Sequence, residues 1–312
     1  MASAESTQAA PKDQKSLRDA LDRNVVRSTP GFYRRAWSRF KKDKVAVVAL
    51  VIAVIILIFS FSAPLVSQIT GYSYEASDLR SKLLAPGEQG HLLGTDGNGR
   101  DILTRLAYGG RVSMMVALLA LASAFTIGAA VGSIAGYYGG IIDSLLMRFV
   151  DIVIAIPGIT LLLLLSVWFN PGPVGLAFVI AALAWTGVSR LIRGEVLSLR
   201  QREFIDAARV TGASNSRIIM RHIFPNVISI AIVWMSLALP GLILYEATLS
   251  YLGFGVAIPV PSWGNMLEEA KNFYRDSWTF VFIPGFAIYL AALAFNLIGN
   301  GLRDALDPRL NE

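Results

Sequence analysis

Two uncharged apolar runs set the terms for this chain. Val45 to Val66 passes twenty-two residues, and Val112 to Ile142 thirty-one, without one charged side chain. The hydrocarbon core of a bilayer is about 30 Å thick, and a helix rising about 1.5 Å per residue crosses it in about 20 residues. Inside hydrocarbon every backbone N–H and C=O must find its partner within the protein, so such runs cross as helices. Composition agrees: 54% of residues are hydrophobic, 16% are charged, and the mean hydropathy is +0.54. Soluble chains carry about a quarter charged residues. The expected fold class is an all-α polytopic membrane protein.

Taken in order, the chain predicts six crossings. The first is Val45 to Val66, followed by a polar stretch, Ser67 to Arg111. The second run is too long for one span, so it divides at Gly136-Tyr137-Tyr138-Gly139-Gly140 into a second span at about 112–135 and a third at about 141–168. Asp143, Arg148 and Asp151 fall in the first turns of the third span, and the i,i+3 spacing predicts a local Arg148–Asp151 ion pair. An ionisable residue so far inside faces the bundle interior or a pathway, and Pro157-Gly158 should kink the same helix. Asn170-Pro171-Gly172-Pro173 turns the chain into a fourth span at about 174–190. The fifth runs from Val227 to Ser250 with Glu246 near its end, and the sixth from Trp278 to Leu302. Sixteen Lys and Arg residues fall in 27–44, 190–225 and 301–312, against seven in 67–111 and 251–279. The positive-inside tendency therefore puts both termini in the cytoplasm.

Residues 1–29 are polar, lack an apolar h-region and read as loosely ordered rather than as a cleavable signal. In Pro30 to Lys44, Phe32, Tyr33, Ala36, Trp37 and Phe40 make one helical stripe ringed by Arg and Lys. Two readings stand for it, a helix lying in the membrane interface and plain basic flanking sequence.

Between the fourth and fifth spans lies a polar island, Arg190 to Asn226, with Arg190, Arg193, Arg200, Arg202, Arg209, Arg217 and Arg221 as its basic residues. Glu203 to Thr211 suits a short helix with Phe204, Ala207, Ala208 and Thr211 on one face. Gly212 is placed to end it with a positive φ. Ser214 or Asn215 can cap a second turn through Ile218 and Ile219, and Pro225 closes the unit. The product is a helix–Gly–helix knob with a flat alanine patch that permits close approach by another surface.

Several chemistries are excluded. There are no cysteines, hence no disulfide, iron–sulfur cluster or thiol catalysis. His91 and His222 are the two histidines and no H-E-x-x-H occurs, which argues against a metal enzyme. Without G-x-x-x-x-G-K-[ST], any ATP hydrolysis must belong to a partner. The glycine-rich stretch His91 to Arg111 carries neither a phosphate-loop lysine nor an EF-hand ligand spacing. By physics alone it is a tight turn into a short amphipathic helix. The net charge of +6 is concentrated beside the spans, which points to topology rather than to nucleic acid.

The order of residues in the island carries more. Asp206-Ala207-Ala208, three residues, Gly212, nine residues and His222-Ile223-Phe224-Pro225 resemble the cytoplasmic signature loop of ABC-importer permeases, E-A-A, three residues, G, nine residues, I-x-L-P. Asp stands for Glu, His for Ile and Phe for Leu. Leu93-Gly94-Thr95-Asp96, two residues, Gly99-Arg100-Asp101 and the continuation to Ser113 look like the C-type permease subunit of dipeptide and oligopeptide importers. So do G-Y-Y-G-G-I-I-D, S-Y-L-G-F-G, P-S-W-G-N-M-L and the terminal F-N-L-I-G-N-G-L-R-D-A-L-D-P-R-L, in which Asn300 stands where the family often has Asp.

The resemblance implies six transmembrane helices of the type I ABC importer kind. It divides the chain into a cytoplasmic segment 1–44, a first span with its outer loop 45–111, a permease core 112–302 with coupling loop 190–226, and a cytoplasmic tail 303–312. It implies a non-catalytic subunit of the bacterial or archaeal cytoplasmic membrane, giving half of a peptide pathway. Its partners are a homologous second permease, two cytoplasmic ABC ATPases that bind ATP and Mg, an extracytoplasmic peptide-binding protein and the lipid bilayer, with no nucleic acid. Glu203, Phe204, Asp206, Ala207, Ala208, Gly212, Arg217 and Pro225 would couple to the ATPase. Asp96, Arg100, Asp101 and Trp263 would form an outer gate or dock the binding protein, and Asp151 and Glu246 would line the pathway. Alternatives are nickel or glutathione as cargo, or a proton-coupled secondary transporter using Asp151 and Glu246. No catalytic or metal-binding set is found.

Overall fold

A computed structural model describes residues 32–306. The loose segment expected at 1–29, Pro30 of the interfacial stripe and residues 307–312 of the tail lie outside the described residues. Regular structure among the described residues is helical, apart from one isolated bridge between Thr95 and Asp101. The helices are α1 (Phe32–Phe40), α2 (Lys44–Phe61), α3 (Ala63–Thr70), α4 (Ile102–Tyr138), α5 (Gly140–Ala155), α6 (Gly158–Phe169) and α7 (Pro173–Leu199). They continue with α8 (Glu203–Val210), α9 (Asn215–Ile218), a π turn (Ile219–Ile223), α10 (Phe224–Tyr251), α11 (Trp263–Ala270) and α12 (Trp278–Leu306).

Among the described residues five helical runs are long and apolar enough to cross a membrane: α2, α4, α7, the continuous Asn215–Tyr251 and α12. The pair α5 and α6, bent by 87° at its break, makes a sixth when taken as one broken span. That agrees with the six spans read from sequence. The break is sharper than a kink because Ile156 is extended (φ −83, ψ 130) ahead of Pro157. Proline disfavours the helical conformation for the residue before it and has no N–H to continue the ladder.

Three boundaries differ from the sequence reading. Helix α4 starts at Ile102, ten residues before the expected span, so the stretch after the glycine turn is its first turns rather than a separate short helix. Asp101 starts it there by accepting the Thr104 N–H at 2.7 Å. Gly136 lies inside α4, and the chain turns instead at Gly139 and Gly140, both at positive φ. Helix α7 runs on to Leu199 and carries Arg190 and Arg193 with it.

Packing follows membrane rather than aqueous logic. On α2 the small or inward residues Ala46, Ala49, Ala53 and Ser60 are buried, while Val48, Val51, Ile55 and Ile58 face out. Lipid tails are as apolar as leucine, so close backbone approach through small residues, not apolar burial, brings spans together. The most extensive helix contact, α4 on α7, is built the same way. Gly128, Gly132 and Gly136 recur at every fourth residue of α4. A Cβ on Gly132 would stand 2.5 Å from the Ser189 carbonyl oxygen, and one on Gly136 2.9 Å from that of Arg193. Beyond this seam, at the end of the bundle away from α8, Trp263, Met114, Ile243, Leu249 and Phe280 form the main core.

Helix α1 is not simply laid on the surface. Ala36 and Phe40 are buried in a cluster or groove with Ala46 and Ala305, at the end of α12, while Trp37 stays exposed and stacks on Phe40 at 5.7 Å.

Gly132→Leu should cost about 1–3 kcal/mol by overpacking and lower the detergent-solubilised midpoint of thermal unfolding. Gly194→Ala, on an open face of α7 with nothing within 4 Å, should leave that midpoint unchanged or raise it.

Candidate functional site

The knob predicted from the island is present, and its stops are hydrogen-bonded. Helix α8 ends in a full Schellman arrangement: Gly212 N–H donates to Arg209 O at 2.9 Å and Ala213 N–H to Ala208 O at 3.0 Å. Gly212 sits at φ +82, and nothing lies within 4 Å of a Cβ built there, so backbone conformation rather than space selects glycine. Ser214 is the cap of α9, its Oγ accepting the Arg217 N–H at 3.4 Å. Pro225 does not close the unit. It occupies the first turn of α10, where a missing N–H is harmless, and the π turn carries the helix through.

The inner side of the knob is apolar. Ile205, Ala208, Ile218 and Ile223 bury against Ile192 and Val196 of α7 and Tyr137 of α4. Tyr137 Oη donates to Asn215 Oδ1 at 2.8 Å, and the Arg209 guanidinium lies 5.8 Å from the Tyr137 ring centre. Arg200 Nη1 donates to the Gly136 and Tyr137 carbonyls at 3.1 and 3.3 Å, closing the last turn of α4. The outer side displays Phe204, Ala207, Val210, Thr211 and Met220, with Glu203, Asp206 and Arg217 around them. Val210 is 88% exposed. The alanine patch is corrected in one respect: Ala207 faces out but Ala208 packs inward, because the buried Ile205 lies three residues before it on the same face.

Asp151 pairs differently from the sequence reading. It does not meet Arg148; Arg190 Nη2 of α7 donates to its Oδ1 at 2.5 Å. Arg193 binds Asp143 with two bonds, Nε to Oδ1 at 2.5 Å and Nη2 to Oδ2 at 2.6 Å. Close packing of α5 beside α7 lets cross-helix partners reach where the i,i+3 neighbour does not. The Asp151–Arg190 pair remains about half exposed, at 52% and 49%.

At the opposite end, Asp96, Arg100, Asp101 and Trp263 are enclosed and offer no docking surface. Asp96 accepts Arg100 Nε at 2.7 Å and pairs with Arg105 Nη1. Glu269 of α11 accepts Arg100 Nη2 at 2.5 Å and Arg105 Nη1 at 2.7 Å. Asp101, besides capping α4, lies 2.9 Å from His91 Nδ1. Trp263 donates Nε1 to Leu106 O at 3.0 Å over the small residues Gly109 and Gly110. These contacts fasten the glycine loop, the start of α4 and α11 into one clamp. Nearby, the Arg80 N–H and the Ser81 hydroxyl hold the Asp78 carboxyl below its usual range.

Glu246 is fully buried where α10 meets α11, with Ser250 Oγ donating to its Oε1 at 2.8 Å, and it faces no opening of this chain. Sequence reasoning gave no role to Arg105 or Glu269, read Tyr137 only as part of a turn, and offered Asn215 only as a cap rather than as the partner of Tyr137. Arg105 carried a usable signal, since a charge in the first turn of a spanning helix requires a partner. Among the described residues no group of three His, Cys, Asp or Glu side chains is placed to hold a metal ion.

Arg105 is 0% exposed, so Arg105→Leu, which leaves Asp96 and Glu269 to share Arg100 as their one cation, should cost about 3–5 kcal/mol in unfolding free energy. Combining it with Glu269→Gln, which leaves Arg100 balanced against Asp96, should recover a large part of that loss, measured as chemical unfolding in detergent.

The comparisons with known proteins fit this architecture. Residues 128–312 match the model of the binding-protein-dependent transport system inner membrane component family, and residues 31–86 match the N-terminal transmembrane domain of oligopeptide transport permease C. The oligopeptide transport system permease protein OppC of Haemophilus influenzae is 41% identical over 279 residues, 89% of this chain and 88% of that protein. The dipeptide transport system permease protein DppC of Alkalihalophilus pseudofirmus is 41% identical over 89% of this chain and 90% of its own. OppC of Escherichia coli K12 is 40% identical over 89% of this chain and 91% of its own. With its spans, its knob and these matches together, the chain belongs to the binding-protein-dependent transport system inner membrane component family, as a multi-pass ABC transporter permease.

Proposed function

We propose that this chain is one of two permease subunits in an ATP-driven importer of dipeptides or oligopeptides, set in a bacterial or archaeal cytoplasmic membrane. Both termini and the knob lie in the cytoplasm; the clamp around Asp96 lies outside. The names of its relatives, which cover oligopeptide and dipeptide permeases, favour peptides as cargo. A second, homologous permease completes the pathway, an external peptide-binding protein delivers cargo, and two cytoplasmic ATPases hold ATP and Mg. No reaction is catalysed here.

The observation that carries this reading is the two-sided knob: apolar and tied to α4 and α7 within, and without, an exposed face that displays Phe204, Ala207, Val210 and Met220. Phe204, Ala207, Thr211 and Val210 form the face that seats in the ATPase, with Glu203, Asp206 and Arg217 orienting it. Ala208 and Gly212 act behind that face, as packing and as helix stop, and Pro225 starts the following span. Import needs two membrane conformations, and a ligand shifts their balance only by binding one better. Inverting a 1:99 ratio takes about 5.5 kcal/mol of differential binding, which closure of the ATPase dimer on nucleotide delivers through the knob. Asp151, joined by Arg190, faces the pathway, since a half-exposed ion pair inside a span is costly against lipid. Glu246 serves from behind the helix wall. Asp96, Arg100, Asp101 and Trp263 set the shape of the outer mouth rather than contacting the binding protein.

Ala207→Glu leaves the interior untouched, so the subunit should insert at normal abundance while peptide uptake falls about tenfold or more and ATPase activity no longer responds to loaded binding protein. Uptake at the wild-type rate, with normal abundance, would refute the coupling assignment. Cross-linkers at Phe204 and Val210 should capture a nucleotide-hydrolysing subunit.

A further inference from the structure

We propose that the furrow between α2 and α12 is a binding site for one anionic phospholipid, its head on Lys44 and an acyl chain between the helices. The furrow holds about 300 Å³. Its floor is made by Ala49 and Ala294, both buried, and its walls include Val48 and Leu293, both exposed. The small floor residues are those that bring α2 and α12 together, so the trough is a by-product of close packing that the flanking large residues leave open. Its lining is apolar throughout except at one end, where Lys44 stands at the mouth.

That end decides the occupant. Lys44 opens α2, at the level where the apolar run begins, and it has no ion pair among the described residues. Lys41 and Lys42 precede it, and exposed Trp37, with the Lys41 Nζ 5.1 Å from its ring centre, sits at the same end. The nearby acid, Asp43, does not line the furrow and is engaged at the helix start, its Oδ1 accepting the Val45 and Ala46 N–H groups at 2.9 and 3.1 Å. Basic residues just outside a span attract anionic headgroups, and tryptophan favours the same depth. A cation at the headgroup level above an apolar trough that runs into the span matches a phospholipid end to end.

The test uses the full chain reconstituted in phosphatidylcholine vesicles. A trace of phosphatidylglycerol or phosphatidylcholine carries the same photoactivatable acyl chain, and labelled peptides are mapped by mass spectrometry. Phosphatidylglycerol should label segments 44–52 and 290–297 about fivefold more than phosphatidylcholine. Lys44→Glu should bring that ratio to about one, and Val48→Gln should lower labelling by both lipids. Both variants alter exposed side chains, so loss of fold is not at issue. Equal labelling by the two lipids, or a preference untouched by Lys44→Glu, overturns the site. So does capture of another protein, in the assembled complex, by a photo-cross-linker placed at Val48.

Discussion

The rest of the molecule depends on how closely α4 and α7 approach. Three glycines at every fourth residue of α4 meet the backbone of α7 along the carbonyls of Trp185, Ser189 and Arg193. That seam fixes which faces of the two helices are left for other work. Arg190 and Arg193 emerge beside α5, where Asp151 and Asp143 take them. Ile192 and Val196 emerge under the knob, where Ile205, Ile218 and Ile223 cover them. Fully burying an apolar side chain of this size is worth about 1.5–3 kcal/mol relative to exposure. Sliding the knob off α4 and α7 would re-expose several at once, which ties the knob to the two helices.

Charge in this chain is placed by the same logic at both ends of the bundle. Near the knob, arginines of α7 reach aspartates one helix away. At the far end Arg100 and Arg105 share Asp96 and Glu269, the last from an element more than 160 residues later in sequence. Removing one partner of such a buried set leaves an uncompensated charge, so the set is cooperative in a way that no single pair would be. The clamp makes α11 and the start of α4 one body, and Trp263 closes it over glycines that leave room for the indole.

Much of this was readable from residues, and the misreadings have physical causes. The spans and the glycine stop at Gly212 follow from local rules: length against bilayer thickness, and a φ that glycine alone adopts cheaply. Long-range partners do not follow from local rules. The i,i+3 spacing offered Arg148 to Asp151, yet Arg190, far away in sequence, lies closer in space. The glycines of α4 read as a turn near Gly136 because composition does not distinguish a loop glycine from one that admits a neighbouring backbone. Asp96, Arg100, Asp101 and Trp263 drew attention as a motif, but a motif does not reveal which side its residues face. Burial decided that, and it turned an expected docking surface into a clamp. On the knob, exposed Ala207 and buried Ala208 are adjacent residues, about 100° apart around the helix, a distinction that depends on where Ile205 finds its pocket.

The proline distribution completes the mechanical picture. Helix α4 holds thirty-seven residues without a proline, about 55 Å at 1.5 Å per residue and well beyond the hydrocarbon thickness. Its partner α7 has proline only in its first turn, where the helix tolerates it. The crossings around them are interrupted: Pro157 at the break between α5 and α6, Pro240 within α10 and Pro284 within α12. Each of those prolines removes a backbone hydrogen bond and leaves a place where the helix bends at low cost. A stiff pair clamped at one end by the Arg105 cluster and at the other by Tyr137 and Arg200, flanked by three crossings with built-in bends, is suited to one kind of motion. On the proposed coupling, a displacement at the knob is passed to α4 and α7 together, and the prolines mark where the surrounding crossings bend most readily.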